Sequence, residues 1–182
     1  MGIDVGYLKD RIREVPDFPR PGVGFKDITP LLADAAGFGA CVDSLADHFA
    51  ERAVDKVLGI EARGFIVAAP VAHRLGAGFV PVRKAGKLPW RICHEEYVLE
   101  YGTDALEVHT DAVGPGERVL IVDDVLATGG TAAAAVALAG RLGAATVGFG
   151  CVIELAFLSG RDKLAPGGKA GGIDLVSLVT YT

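Results

Sequence analysis

The sequence predicts an α/β fold, a central mainly parallel sheet flanked by helices, and three observations carry that prediction. Two stretches run in the same order: a short apolar strand, a polar loop and then a helix. Residues 56–60 (Lys-Val-Leu-Gly-Ile) lead through Glu61, Ala62, Arg63 and Gly64 into an apolar helix at 65–75. Residues 119–122 (Val-Leu-Ile-Val) lead through Asp123, Asp124 and a small-residue loop into an alanine-rich helix at 131–142. Second, the strand segments are continuous apolar runs rather than alternating ones, as expected of strands covered on both faces. Third, the chain has 182 residues, 51% of them hydrophobic, which suits one domain with a sizeable core.

Taken in order, residues 4–15 read as a short helix, with Val5, Leu8 and Ile12 at helical spacing and Pro16 as its stop. Residues 17–30 are dense in Pro and Gly and read as a loop. Asp34 is a candidate cap for a helix to about residue 52, with Phe38, Cys41, Val42, Leu45 and Phe49 as its apolar stripe. His48 falls beside that stripe. After the strand at 56–60 and the helix at 65–75, in which Pro70 predicts a kink or a late start, a strand is expected at 79–82. There Pro81 implies an edge or bulge position. Residues 83–91 then hold four basic side chains in nine, Arg83, Lys84, Lys87 and Arg91. Two hairpin strands should follow, at 94–102 and 105–109, turning at 102–104. The alternation at 105–109 predicts a wet face, with Glu95, Glu96 and Glu107 solvated. Gly143 should stop the helix at 131–142. A buried strand is expected at 144–153, a solvated turn at 160–163, an unstructured glycine-rich loop at 166–172 and a last strand at 173–181.

The chemistry concentrates between Arg118 and Thr131. In parallel sheets ligands bind at the carboxyl ends of strands, and helix N-termini attract anions. Ala127, Thr128, Gly129, Gly130 and Thr131 offer backbone N–H groups, two hydroxyls and little bulk, which suits a phosphate. Two carboxylates beside a phosphate would repel it unless they bind something else. A ligand with a phosphate at one end and hydroxyls or a metal at the other resolves the conflict, and a ribose 5-phosphate with Mg²⁺ fits. The plain alternative is a βα turn with solvated carboxylates. Arg63 ends the other strand and can point into the same crevice, where its planar fork suits phosphate. The basic loop at 83–91 can screen a diphosphate and close over it.

Composition narrows the classes. The net charge is −5 with no block of like charges, which disfavours general nucleic-acid binding. Apolar runs are far shorter than a membrane span. The first twelve residues, charged at Asp4, Lys9, Asp10 and Arg11, do not read as a signal peptide. Cys41, Cys93 and Cys151 are odd in number and form no C-x-x-C pair, which argues for a reducing, cytoplasmic setting and against a disulfide frame. The histidines, His48, His73, His94 and His109, are equally scattered, so no zinc cluster is expected. Cys93 and His94 are adjacent, but no third orienting group accompanies them. The sequence has neither Asn nor Gln, so a base edge would be read by backbone groups, carboxylates, hydroxyls or basic residues.

These residues resemble a known family. The stretch from Arg118 to Thr131 is similar to the 5-phosphoribosyl 1-pyrophosphate (PRPP) signature of type I phosphoribosyltransferases. Residues 17–30, 59–65, 83–89 and 97–102 extend the resemblance to the adenine phosphoribosyltransferases over nearly the whole chain. The Arg83-Lys84-Ala85-Gly86-Lys87-Leu88-Pro89 and Leu99-Glu100-Tyr101-Gly102 runs are particular to them, as is Pro21-Gly22-Val23 with Phe25-Lys26-Asp27-Ile28-Thr29-Pro30. The resemblance implies a type I phosphoribosyltransferase fold in one domain over 1–182. A small hood at 1–33 would bind the base, and a flexible lid would span 84–109. It implies the reaction adenine + PRPP = AMP + pyrophosphate, with Mg²⁺, in a cytoplasmic homodimer serving purine salvage, without nucleic acid or membrane as partner.

Carried over by position, Ala127 to Thr131 hold the 5-phosphate, and Asp123 and Asp124 face the ribose hydroxyls directly or through Mg²⁺-bound water. Ala62, Arg63, Arg83 and Lys87 contact the pyrophosphate. Phe25 and Leu155 sandwich the adenine, while backbone groups at Val23, Gly24 and Phe25 read its edge. Lys26 lies in the same base-binding segment, Glu100 handles the purine proton, and Tyr101 belongs to the lid. Lys26 stands where the family often has Arg, and Gly24 where a larger apolar residue is frequent. A type I enzyme for guanine, hypoxanthine, xanthine or orotate is one alternative. A PRPP-sensing regulator that binds nucleic acid is another, though the chain has neither spare length nor basic excess for it.

Overall fold

A computed structural model describes residues 4–98, 103–164 and 173–182. Among the described residues, nine strands and six α-helices follow in order: α1 (Val5–Lys9), β1 (Arg13–Val15), β2 (Phe25–Asp27), α2 (Thr29–Ala33), α3 (Ala35–Phe49), β3 (Lys56–Ile60), α4 (Gly64–Leu75), β4 (Gly78–Lys84), β5 (Ile92–Val98), β6 (Thr103–His109), β7 (Arg118–Leu126), α5 (Gly130–Arg141), β8 (Ala145–Leu155), α6 (Arg161–Leu164) and β9 (Asp174–Tyr181). Seven strands form one sheet in the order β5-β6-β4-β3-β7-β8-β9. The run from β4 to β9 through β3, β7 and β8 is parallel, and the β5–β6 hairpin joins its edge antiparallel.

The core lies on both sides of that sheet. Along β7, Leu120 and Val122 face the α3–α4 layer, while Val119 and Ile121 face α5. All four are fully buried, which explains the unbroken apolar run: a strand sandwiched by helices has no wet face. Two small residues set the spacing of the layers. A Cβ on Gly148 would meet the Phe49 ring at 2.2 Å, so α3 lies tight against β8 at that point. A Cβ on Gly64 would meet Asp123 Oδ1 at 2.7 Å, so α4 starts hard against the carboxyl end of β7.

Several expectations are corrected. The helix at 4–15 stops at Lys9, and Arg13–Val15 instead pairs antiparallel with Phe25–Asp27 in a separate two-stranded ribbon. Short apolar spacing in 4–15 came from Leu8 and Ile12 docking on the core, not from one continuous helix. The stretch at 17–30 is accordingly not all loop. α4 begins at Gly64 and runs on through Pro70 rather than starting late. Thr103 and Asp104 are not turn residues but pair with Val98 and Tyr97. The second hairpin strand has no wet face, since Leu106, Glu107 and Val108 are all buried. Residues 161–163 are solvated as expected but helical rather than a turn: Arg161 opens α6, which anchors Leu164 in the core. Pro81 keeps its edge character locally: β4 pairs with β3 there, and its ladder to β6 begins only at Arg83. The 166–172 loop lies outside the described residues.

Candidate active site

Strand β7 carries its two carboxylates to the middle of the sheet. Asp123 is 8% and Asp124 5% exposed. The Asp124 N–H donates to Asp123 Oδ1 at 2.8 Å. Arg63 Nε lies 2.8 Å from Asp124 Oδ2, but its N–H is not aimed at that oxygen. Asp124 Oδ2 is therefore a buried acceptor with a cation beside it and no hydrogen bond. Burial raises both pKa values. At Asp123 the neighbouring carboxylate raises it further, whereas at Asp124 the charge of Arg63 opposes the shift.

The loop that follows is shaped by backbone packing. Gly129 has φ 76°, a conformation that favours glycine, and caps α5 without a side chain. A Cβ on Gly129 would meet the Gly160 carbonyl at 2.3 Å, and a Cβ on Gly160 would meet the Ala127 carbonyl at 2.2 Å. Only two glycines let these segments touch. Gly160 in turn precedes Arg161, whose Nε and Nη2 reach the two oxygens of buried Glu154 at 2.5 and 2.6 Å. Ser177 donates to the same carboxylate at 2.6 Å. Arg161 holds the Glu154 pKa below its usual value against the opposing effect of burial, and the Ser177 hydrogen bond adds to the lowering. Beyond Gly129, the first turn of α5 presents backbone N–H groups and the Thr131 hydroxyl, and Thr131 and Tyr97 line the same space.

The basic side has an organiser that sequence reasoning missed. Glu61 Oε2 accepts from the Lys84 N–H at 2.8 Å, and Oε1 accepts from Lys87 Nζ at 2.6 Å. Arg83 Nε also donates to Oε2, at 3.3 Å. Burial pushes the Glu61 pKa up, but Lys87, Arg83 and the Lys84 amide outweigh it and hold the carboxyl at about 2. A signal existed: Glu61 is the first polar residue after a buried strand, the place that Asp123 holds in the other strand–loop–helix unit. Glu107, expected to be solvated, is 6% exposed and accepts from the Gly86 N–H at 3.0 Å. The basic loop is thus held at its base by two carboxylates. The Glu61–Ala62 peptide is cis.

These parts meet in one cavity of about 320 Å³, lined by Glu61, Ala62, Arg63, Lys84, Tyr97 and the run 123–132. It brings together Ala62, Arg63, Asp123, Asp124 and all of Ala127 to Thr131. Arg83 and Lys87 do not line it but are bound to Glu61, which does. In the segment expected to bind the base, Phe25 meets Phe18 edge-on at 5.2 Å, and the Arg63 guanidinium lies 4.8 Å from the Phe25 ring centre. Leu155 ends β8, half-buried against the α3–α4 layer. Val23 spends its N–H on Arg20 and its carbonyl on the Phe18 N–H within the loop. A Cβ on Gly24 would come within 3.1 Å of Glu14 Oε1. The Lys26 ammonium pairs with Glu14 at 2.9 Å and sits over the Tyr181 ring, away from the cavity lining. Glu100 and Tyr101 lie outside the described residues. Two of the three thiols, Cys41 and Cys151, are buried core groups, and burial pushes the Cys41 pKa up to about 12.

A helix N-terminus, an acidic pair and a cationic flank at the carboxyl ends of parallel strands define a sugar-phosphate-binding α/β protein. Residues 31–166 match the family described as phosphoribosyl transferase domain. A curated relative from Acidothermus cellulolyticus, named adenine phosphoribosyltransferase, is 60% identical over 162 residues, covering 88% of this chain and 92% of its own length. The crystal structure of adenine phosphoribosyltransferase from Thermoanaerobacter pseudethanolicus superposes with a TM-score of 0.91 at 50% identity, covering 97% of this chain and 99% of that one. The Giardia lamblia enzyme, complexed with 9-deazaadenine, superposes with a TM-score of 0.90 at 37% identity, covering 99% of each chain. The chain belongs to the phosphoribosyltransferases, and among them to the adenine phosphoribosyltransferase family. Among the described residues, no helix is long and apolar enough to cross a membrane.

Proposed function

We propose a division of labour for the adenine phosphoribosyltransferase reaction, in which adenine and PRPP give AMP and pyrophosphate. That reaction, a step of purine salvage, is the activity of the family to which the chain belongs. The observation that carries the assignment is the single cavity shared by Asp123, Asp124, Arg63 and the N-terminus of α5. The first-turn N–H groups with Thr128 and Thr131 take the 5-phosphate. The carboxylates of Asp123 and Asp124 take the ribose hydroxyls and place negative charge near C1, where positive charge develops as the bond to pyrophosphate breaks. Arg63, Arg83 and Lys87, with the Ala62 peptide, take the leaving group. Glu100 handles the purine proton.

The acidic pair suits Mg²⁺. Asp124 Oδ2 is a buried oxygen with no hydrogen bond, and hard cations take such ligands. No group of three His, Cys, Asp or Glu side chains forms among the described residues, so PRPP oxygens and water would complete the shell. When bound, the metal neutralises charge on the leaving pyrophosphate.

Phe25 and Leu155 hold the adenine ring between them. Its edge is read by backbone groups at 23–25, where the Val23 carbonyl keeps a second lone pair beyond its loop hydrogen bond. The 1–33 segment acts as a hood, with Lys26 supporting it through Glu14. The 84–109 segment, with Tyr101, acts as a lid, and the protein works as a cytoplasmic homodimer.

Pyrophosphate release is to be measured with adenine, guanine, hypoxanthine and orotate in turn, with and without Mg²⁺. Turnover with adenine and Mg²⁺ is expected; turnover only with a 6-oxopurine or with orotate would overturn the base assignment. Glu100→Ala should lower kcat by about 10²–10⁴-fold, the usual worth of positioned proton transfer, with PRPP affinity little changed. Near-wild-type kcat in that variant would remove Glu100 from its role.

A further inference from the structure

We infer that Glu61 is a positioning residue that occupies the pyrophosphate-binding cations while the site is empty and competes with the diphosphate for them. The inference rests on the assignment of Arg83 and Lys87 to the leaving group. Glu61 is not itself a group that a diphosphate would welcome: it is an anion on the cavity wall that Arg63 and Lys84 also line. Its side chain is only 9% exposed, yet it accepts from both cationic side chains, Lys87 at 2.6 Å and Arg83 at 3.3 Å. The Lys84 N–H bond at 2.8 Å ties the same carboxylate to the backbone of the basic loop.

Two consequences follow from one carboxylate. First, the cations are held together near the cavity before any ligand arrives, so little side-chain freedom is lost when the ligand binds. Second, every pyrophosphate oxygen that reaches Lys87 or Arg83 must displace or share a charge-assisted contact. That lowers the affinity for pyrophosphate and gives the cations an internal partner to return to when the product leaves. Ground-state binding is thus held down without removing the positive charge that the transition state uses.

Glu61→Gln separates the two roles. The amide oxygen can still accept from the Lys84 N–H, but the negative charge is gone. Binding of magnesium pyrophosphate is to be followed by titration calorimetry, and PRPP turnover by steady-state kinetics, for the wild type, Glu61→Gln, Glu61→Ala and Lys87→Ala. In Glu61→Gln, pyrophosphate should bind about tenfold more tightly, the PRPP KM should fall, and product inhibition should strengthen, because a like charge beside the ligand has been removed. Glu61→Ala, which also loses the loop tether, should gain less. Damage to a purely structural residue would weaken binding, so the sign of the change is diagnostic. Unchanged or weaker pyrophosphate binding in Glu61→Gln, with Lys87→Ala weakening it as assigned, would overturn the inference alone. Unchanged binding in Lys87→Ala would overturn the pyrophosphate assignment, and the inference with it.

Discussion

At the carboxyl end of β7 the proposed phosphate cradle is held by backbone meeting backbone, Gly129 against Gly160, with no charge involved in the contact. On the other side of the cavity, at the ends of β3 and β4, the basic loop is held by charges: Glu61 to Lys87, Arg83 and the Lys84 amide, Glu107 to the Gly86 amide, and Lys84 to Asp104 at 2.7 Å. The first kind of contact is short-ranged and has one geometry. The second can exchange partners with an incoming anion at little cost. Under the proposed assignment, a 5-phosphate that stays attached throughout the reaction would meet the rigid side, and a diphosphate that must leave would meet the exchangeable side.

The comparison can be broken at either end. The largest effect is expected from Asp123→Asn combined with Asp124→Asn, between the two regions. Turnover should fall by about 10²–10³-fold or more, since charge beside the developing cation is lost. The melting temperature should hold or rise, because two carboxylates no longer have to be buried. A stable and fully active double variant would make the pair merely structural.

A smaller effect is expected from Gly160→Ala. Its Cβ would stand 2.2 Å from the Ala127 carbonyl, so the cradle must shift. Overpacking of this kind costs about 1–3 kcal/mol. The PRPP KM should rise, with pyrophosphate binding on the far side little changed. An unchanged KM would show that the cradle tolerates movement.

The smallest effect is the response to acid, and the charge-held basic side and the acidic pair beside it should answer with opposite sign. Glu61 has a folded pKa of about 2, below its ordinary value of 4.5. Its contribution to stability is present above 4.5 and is lost as pH falls toward 2. The Asp123 pKa is raised, so the cost of burying its charge is relieved as pH falls through its folded pKa. Thermal melts across the acid range should therefore show a shallower acid loss in Glu61→Gln than in the wild type, and a steeper one in Asp123→Asn. Parallel curves for all three would remove the distinction.

The same contrast explains what could be read from the sequence. The acidic pair and the 127–131 loop are contiguous, so their types and spacing carry the site by themselves, and the parallel sheet follows from the unbroken apolar strands. Strands at 56–60 and 174–181 and the helix capped by Asp34 fall where periodicity puts them. The charge contacts were not legible, because Glu61, Lys87 and Glu107 meet only through the pairing of β3, β4 and β6. A glutamate in an alternating strand looks solvated until a loop amide is laid over it. The Glu154–Arg161–Ser177 cluster was missed for the same reason: its partners lie on β8, α6 and β9. The ribbon of β1 and β2 was missed because three-residue strands leave too short a pattern to register.

The contact of Gly129 with Gly160 also limits how far the 123–131 segment can travel as a unit. One wall of the cradle is a carbonyl contributed from beyond β8, so the segment is not a self-contained cassette. Moved onto another parallel sheet, the same nine residues would keep their donors and hydroxyls but would lack the surface that gives them their curvature. A recipient scaffold would need a glycine delivered by the neighbouring strand's exit loop, and a designer transplanting the function would have to copy that second loop together with the first.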